Sequence, residues 1–315
     1  ITLNERSAAL LVIIDVVSDI IHKIYLLKSN MEKNSNSFEN IDVRNFITLN
    51  IKCFHYLAYF PLGDEKSQFS KICYRIHSTL ILCFAYGQVS SEIANMVIAF
   101  GNIEEMAAAS FVLLTNLVHL VKLYCFIFQR TKVENLINSI NREEFQPKDS
   151  DDAKILLKDI NRSKLITKTF LSMCCMGCVL FAIFPLLDNV EGENIRLPFS
   201  GWYPFNINES PVFEIIYMYQ VLASCINGMR NISADTFISG TIMVISGQLS
   251  LLNKAFRTMT PELQNQVEIR KLLLKSILHY KNILTYGEWA RKNCQLLNCQ
   301  ISGLPKTLPL CSQRA

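Results

Sequence analysis

Apolar residues in this chain gather into long runs rather than alternating with polar ones. Four runs reach the roughly 20 residues that a helix needs to cross a hydrocarbon layer about 30 Å thick. The first covers residues 76–100, interrupted by His77, Gln88, Glu92 and Asn95. The second covers 106–128, interrupted by Asn116, His119 and Lys122, and the third covers 166–187. The fourth starts at Val212 and continues to about Leu252. This pattern predicts an all-α fold: a polytopic membrane helical bundle with four complete transmembrane helices. Residues 9–27 also look long enough to span, but Asp15, Asp19 and Lys23 recur at four-residue spacing as one charged stripe. Each such charge costs about 2.5–3.5 kcal/mol at the centre of a bilayer. That segment therefore reads as an amphipathic surface helix, and it lacks the basic start and cleavage site of a signal peptide.

Basic residues give the spans a direction, because Lys and Arg accumulate on the cytoplasmic side. Residues 1–75 hold nine, the turn around Gly101 none, residues 130–164 eight, residues 188–210 only Arg196, and residues 254–292 eight. The alternation predicts a cytoplasmic N-terminus and an extracellular 188–210 connector. It also decides the fourth run, whose 41 residues would extend about 60 Å as one helix. A reversal near residues 228–234 would put the basic 254–292 region outside, so a single long helix four extending into the cytosol is expected. Arg230 and Asp235 then fall near the inner boundary, where their charge is inexpensive.

Composition narrows the function. Only 18% of residues are charged and mean hydropathy is +0.23, whereas a soluble domain has about a quarter charged. A net charge of +4 is too small and dispersed for a nucleic-acid partner. Six of the eleven cysteines lie inside apolar runs (Cys83, Cys125, Cys174, Cys175, Cys178 and Cys225) and read as small buried hydrophobes, not as a zinc site. No phosphate loop, nucleophile elbow or His-Glu-x-x-His occurs, so neither an enzyme nor a cofactor is expected. His119 and Lys122 lie one turn apart on the second span, and Lys122 is close enough to its cytosolic end to snorkel. By helical rise, Glu92 falls at the outer interface, where it needs no partner.

The connector itself carries Pro198, Pro204 and Pro211 with Trp202, Tyr203 and Phe205. These aromatics suit either an interfacial belt or a lid over a cavity mouth, and residues alone leave both open. Asn208-Glu209-Ser210 is a glycosylation sequon on the extracellular side.

The block LPFSGWYPFNINESPVFEIIYMYQ (residues 197–220), followed by ISADTFISGTIMVISGQLSLL (232–252), resembles the insect odorant receptor family. Shared features are a Pro-x-x-x-Trp-x-Pro-Phe loop, a Ser-Pro start to helix four, an acidic residue (Asp235) and the Gln248-Leu249 pair. LHYKNILTY (278–286) is similar to the family's entry to helix five. Residues 56–77 are similar to its approach to helix one, with Ala58 where Gly is commoner. The resemblance divides the chain into an N-terminal extension (1–44), a receptor-like membrane domain (45–290, with helix five starting at about 268–290) and a divergent tail (291–315).

That resemblance implies an odorant-binding subunit of a ligand-gated cation channel in the plasma membrane. Expected partners are a small volatile odorant, the lipid bilayer and a shared co-receptor subunit in a hetero-tetramer. It places the ligand cavity in the outer half of the membrane, where dispersion and burial hold small apolar molecules. Phe111 on helix two, Phe181 and Phe184 on helix three, and Tyr217, Met218 and Val221 on helix four are the candidate lining, with Trp202, Tyr203 and Phe205 as lid. The family's pore-lining helix seven has no counterpart here, which implies a partial or misjoined gene product truncated before helices six and seven. The alternatives are a gustatory-receptor-like channel or an unrelated multispan transporter.

Overall fold

Backbone amides cannot be left unpaired in hydrocarbon, so apolar runs of this length must close their hydrogen bonds within helices. The computed structural model describes residues 42–60, 67–187, 197–207, 209–258 and 266–297. They form two 3₁₀ turns, Val43–Phe46 and Glu143–Phe145, and seven α-helices, with no strand among the described residues. The helices are α1 (Thr48–Tyr56), α2 (Gln68–Ile98), α3 (Ile103–Phe128), α4 (Arg130–Ile140), α5 (Ser150–Leu187), α6 (Val212–Thr258) and α7 (Gln266–Leu297). Four of them, α2, α3, α5 and α6, are long and apolar enough to cross a membrane. The amphipathic helix expected at 9–27, the sequon Asn208 and residues 298–315 lie outside the described residues.

The four spans run alternately up and down. The α2–α3 turn, in which Gly101 takes φ +106°, and the 197–207 loop mark one end, here called the top; the short elements mark the other, the base. Over its apolar window α6 is 50% buried, against 28% or less for the other three, so α6 is the central column. It is one continuous helix of 47 residues. The α5 helix begins at Ser150, well before the apolar run at 166. Its first turns are amphipathic, burying Ala153, Leu156 and Ile160 and leaving polar residues outside. Asp149 caps it, its Oδ1 accepting from the backbone N–H groups of Asp151 (2.9 Å) and Asp152 (2.7 Å). The Lys254 ammonium from the foot of α6 donates to Asp149 Oδ1 (2.8 Å) and Asp152 Oδ1 (2.7 Å). This contact holds the exposed Asp149 carboxyl below its ordinary range.

The main core lies toward the base, where α1, α4 and the two 3₁₀ turns pack against α3, α5, α6 and α7. Phe54 is its centre, with ring centroids of Tyr59, Phe126, Phe237 and Phe60 at 4.7, 5.1, 5.2 and 5.4 Å. Aromatic pairs at such distances contribute about 0.5–1.5 kcal/mol each beyond their area. Polar side chains fix register. Asn50 Nδ2 donates to Thr236 Oγ1 (2.7 Å), Ser163 Oγ to the Phe46 carbonyl (2.9 Å), and Gln248 Nε2 to the Phe145 carbonyl (2.8 Å). The Gln248 of the sequence signature is therefore a cross-brace between α6 and the second 3₁₀ turn.

The end of α1 explains another signature position. Tyr59 N–H donates to the Phe54 carbonyl (2.9 Å) and Ala58 N–H to the His55 carbonyl (3.3 Å). The Tyr59 ring packs on that of Phe54. This is a Schellman motif, whose αL position favours glycine, and Ala58 occupies it with φ +60°. Left-handed backbone costs a Cβ-bearing residue roughly 1–2 kcal/mol. Ala58→Gly is therefore expected to stabilise the protein by about 1 kcal/mol, read as a higher thermal midpoint in detergent; a lower midpoint would contradict the assignment.

Candidate functional site

The top of the bundle is closed by the 197–207 loop, and one side chain does most of the fastening. Gln220 on α6 is fully buried. Its Oε1 accepts from the Phe199 N–H (3.1 Å), while Nε2 donates to the Phe199 carbonyl (3.0 Å) and the Tyr203 hydroxyl (3.1 Å). A side-chain amide thus pairs with the loop backbone as a neighbouring strand would. The Trp202 N–H adds a bond to the Ser91 carbonyl of α2 (3.1 Å). Gly201 makes the approach possible. A Cβ there would sit 3.0 Å from Ser91 Oγ and 3.3 Å from Gln220 Nε2, tighter than close-packed interiors accept without shifts.

Beneath this loop is a small apolar cluster of Ala182, Phe213, Tyr217 and Val221, with Val179, Leu197 and Met218 packed against it. The Tyr217 hydroxyl donates to the Ala182 carbonyl of α5 at 2.6 Å. The structure therefore brings together Tyr217, Met218 and Val221. The phenylalanines are placed differently. Phe111, Phe181 and Phe184 are 78, 57 and 69% exposed, so they lie on the outside of the described bundle. Phe181 still reaches the loop, its ring 5.4 Å from Phe199. Of the lid residues, Tyr203 is partly buried on Gln220 and lies 5.8 Å from the Phe205 ring, whereas Trp202 and Phe205 remain about half exposed.

Next to the loop anchor is a buried polar group that corrects one expectation. Glu92 does not sit free at an interface: it is 3% exposed. It accepts from Gln88 Nε2 (2.8 Å) and, across to α3, from Asn116 Nδ2 (2.9 Å to each oxygen). Helical rise fixes the depth of a residue but not its direction, and Glu92 points inward. The signal was Gln88 and Glu92 at i, i+4 on an apolar helix, with Asn116 alone on the next.

Lys122 is likewise not a snorkelling side chain. It is 7% exposed and donates to Asp235 Oδ1 (2.8 Å) and Asn231 Oδ1 (3.1 Å) of α6. The Asp235 side chain is 47% exposed, so the pair contributes no more than ~1 kcal/mol to stability; it does fix α3 against α6. Asp235 also borders an open groove of about 480 Å³ between α5 and α6, with Asp159, Arg162, Ile238 and Ser246, toward the base and apart from the loop-capped cluster. Among the described residues no group of His, Cys, Asp and Glu is arranged to hold a metal.

Residues 102–299 match the family model described as 7tm Odorant receptor. Over 285 residues the chain is 21% identical to Odorant receptor Or1 of Anopheles gambiae, covering 82% of this chain and 67% of that receptor. It is 26% identical over 151 residues to Odorant receptor 46a, isoform A, of Drosophila melanogaster, covering 47% of this chain and 38% of that one. The chain thus spans about two thirds of the first relative and less of the second. Its fold is similar to that of the insect olfactory receptor OR5 from Machilis hrabei, solved in complex with eugenol. The TM-score is 0.59 at 16% identity, over 81% of this chain and 68% of that one. The same receptor solved in a second structure aligns with a TM-score of 0.56 at 17% identity, over 89% and 70% of the two chains.

The fastening role of Gln220 is directly measurable. Gln220→Leu leaves the Phe199 amide and carbonyl without their partner, a loss of about 2–3 kcal/mol locally. Hydrogen exchange at residues 199–203 is expected to accelerate by roughly 30-fold or more, following that free energy, while exchange in the base core stays unchanged. Unaltered exchange in the loop would show that Gln220 does not hold it.

Proposed function

The chain belongs to the 7tm odorant receptor family, and from that premise we propose that it is the odorant-binding subunit of a ligand-gated cation channel. In this reading it crosses the plasma membrane with a cytoplasmic N-terminus, as the Lys/Arg alternation favours. It assembles with a shared co-receptor subunit as a hetero-tetramer. The observation that carries the reading is the loop-capped cluster at the top of α5 and α6. Small volatile odorants bind by burial of apolar surface with few oriented polar groups, and Tyr217, Met218 and Val221 supply that surface around one hydroxyl. The structural relative was solved with eugenol, a small aromatic molecule, and a ligand of that class suits a lining of Tyr, Met and Val.

The loop acts as the lid. Gln220 joins it to the same helix that carries Tyr217 and Val221, so a ligand wedged between α5 and α6 would act on loop and column together. The exposed faces of Phe111, Phe181 and Phe184 are assigned to the rim of the cavity, with Phe181 bridging to the loop through Phe199.

The test pairs a pocket variant with a channel control. In cells coexpressing the co-receptor, Met218→Ala or Tyr217→Ala is expected to raise the half-maximal odorant concentration about tenfold or more, from roughly 1.5–3 kcal/mol of lost burial. Currents evoked by a direct agonist of the co-receptor should be unchanged, and Phe205→Cys should be labelled from outside the cell. Equal loss of both currents would indicate a folding defect rather than a pocket.

A further inference from the structure

Arg230, halfway along α6, is the largest fully buried side chain in the described structure. One face of its guanidinium lies over the Tyr59 ring, 5.1 Å from the centroid. The Tyr59 hydroxyl donates to the Arg230 backbone carbonyl (2.9 Å). The ring attracts the cation through its quadrupole, and the Tyr59 hydroxyl lies near enough to act on the guanidinium without reaching hydrogen-bond geometry to it. Nε, Nη1 and Nη2 all lack a hydrogen-bond acceptor among the described residues. Proximity to the inner boundary therefore does not make this charge inexpensive: the protein encloses it. Arginine cannot shed its proton to escape.

Two neighbours share the anomaly. Asn227 is one turn away on α6, 3% exposed, with both amide atoms unpartnered. His119 on α3 is 2% exposed, with both ring nitrogens unpartnered; the charges acting on it are Arg230 and Lys122. Lys122 is already committed to Asp235 and Asn231. The groups that act most strongly on Arg230 are Tyr59, Tyr86 and Tyr74; Asp235, the carboxylate that acts on Tyr59, is taken up by Lys122. The place therefore holds one uncompensated positive charge and a surplus of N–H donors.

Buried charges require a counter-charge as well as hydrogen bonds. Water would satisfy the donors and leave the charge; a small anion satisfies both. We propose that Arg230, Asn227 and His119 form a small-anion site between α3 and α6 that takes a halide such as chloride. Exposures of 0–3% exclude a lipid headgroup or a bulky carboxylate, whereas a spherical acceptor can take N–H donors from three directions. Its place beside Tyr59 ties the anion to the base core, so its role is to hold α6 against α3 and the α1 end. This assignment is independent of the odorant reading.

The test uses the purified chain in lipid nanodiscs at constant ionic strength, with chloride, bromide or gluconate as the anion. Chloride and bromide are expected to raise the thermal midpoint saturably over gluconate by ligand linkage, and bromide to displace chloride in chlorine NMR line-broadening. Arg230→Met, which keeps the packing on Tyr59, should abolish both effects. If that variant fails to fold, Asn227→Leu and His119→Phe, which retain the arginine, should each raise the half-saturating halide concentration about tenfold, as expected for loss of a hydrogen bond to a charged group. Equal midpoints in chloride and gluconate would overturn the site. So would a halide effect that survives Arg230→Met or is unshifted in the other two variants, leaving water alone as the occupant.

Discussion

A helix of 47 residues is about 70 Å long at 1.5 Å per residue, more than twice the thickness of a bilayer's hydrocarbon core. The rest of the structure follows from that mismatch in α6. Its upper part needs apolar neighbours, and α2, α3 and α5 supply them. Its lower part carries Phe237, Ile238 and Val244, which the base encloses. The short α1, α4 and 3₁₀ turns, too small to be stable alone, exist because that surface needs cover.

The same column carries the polar side chains that lock its neighbours in place. Gln220 holds the loop, Asp235 and Asn231 hold Lys122 of α3, Ser233 and Thr236 hold Asn50 of α1, and Gln248 holds the turn before α5. In a low-dielectric interior each polar group is costly unless paired, and once paired it specifies a single register. A stiff, polar-braced helix thus joins the loop-capped cluster at the top to the core at the base.

Much of this was legible in the sequence, for physical reasons. Spanning length and apolarity gave the four membrane helices, and the basic residues after Leu252 argued against a reversal in α6. Pro198, Pro204 and Pro211 signalled a stiff connector, whereas the close approach at Gly201 was not legible. The partners of Gln220 and Glu92 were not legible, because depth along a helix is a one-dimensional quantity and facing is not. Nor were the first turns of α5, where the apolar run ends but an amphipathic stripe of Ala153, Leu156 and Ile160 continues the helix. Phe111 and Phe184 show the same limit: an aromatic at the right depth can face away from the cluster that holds Tyr217.

The continuity of α6 is the claim on which these relations rest, and a single distance tests it. Spin labels introduced as unnatural amino acids at the exposed positions Ile215 and Ser250, in a nanodisc-reconstituted receptor, report their separation by double electron–electron resonance. Thirty-five residues of uninterrupted helix place the backbones about 52 Å apart, and a narrow distribution near that value is expected. A distribution centred below about 25 Å, as a helical hairpin reversing near Asn231 would give from ordinary interhelical spacing, would contradict the single column and everything built around it.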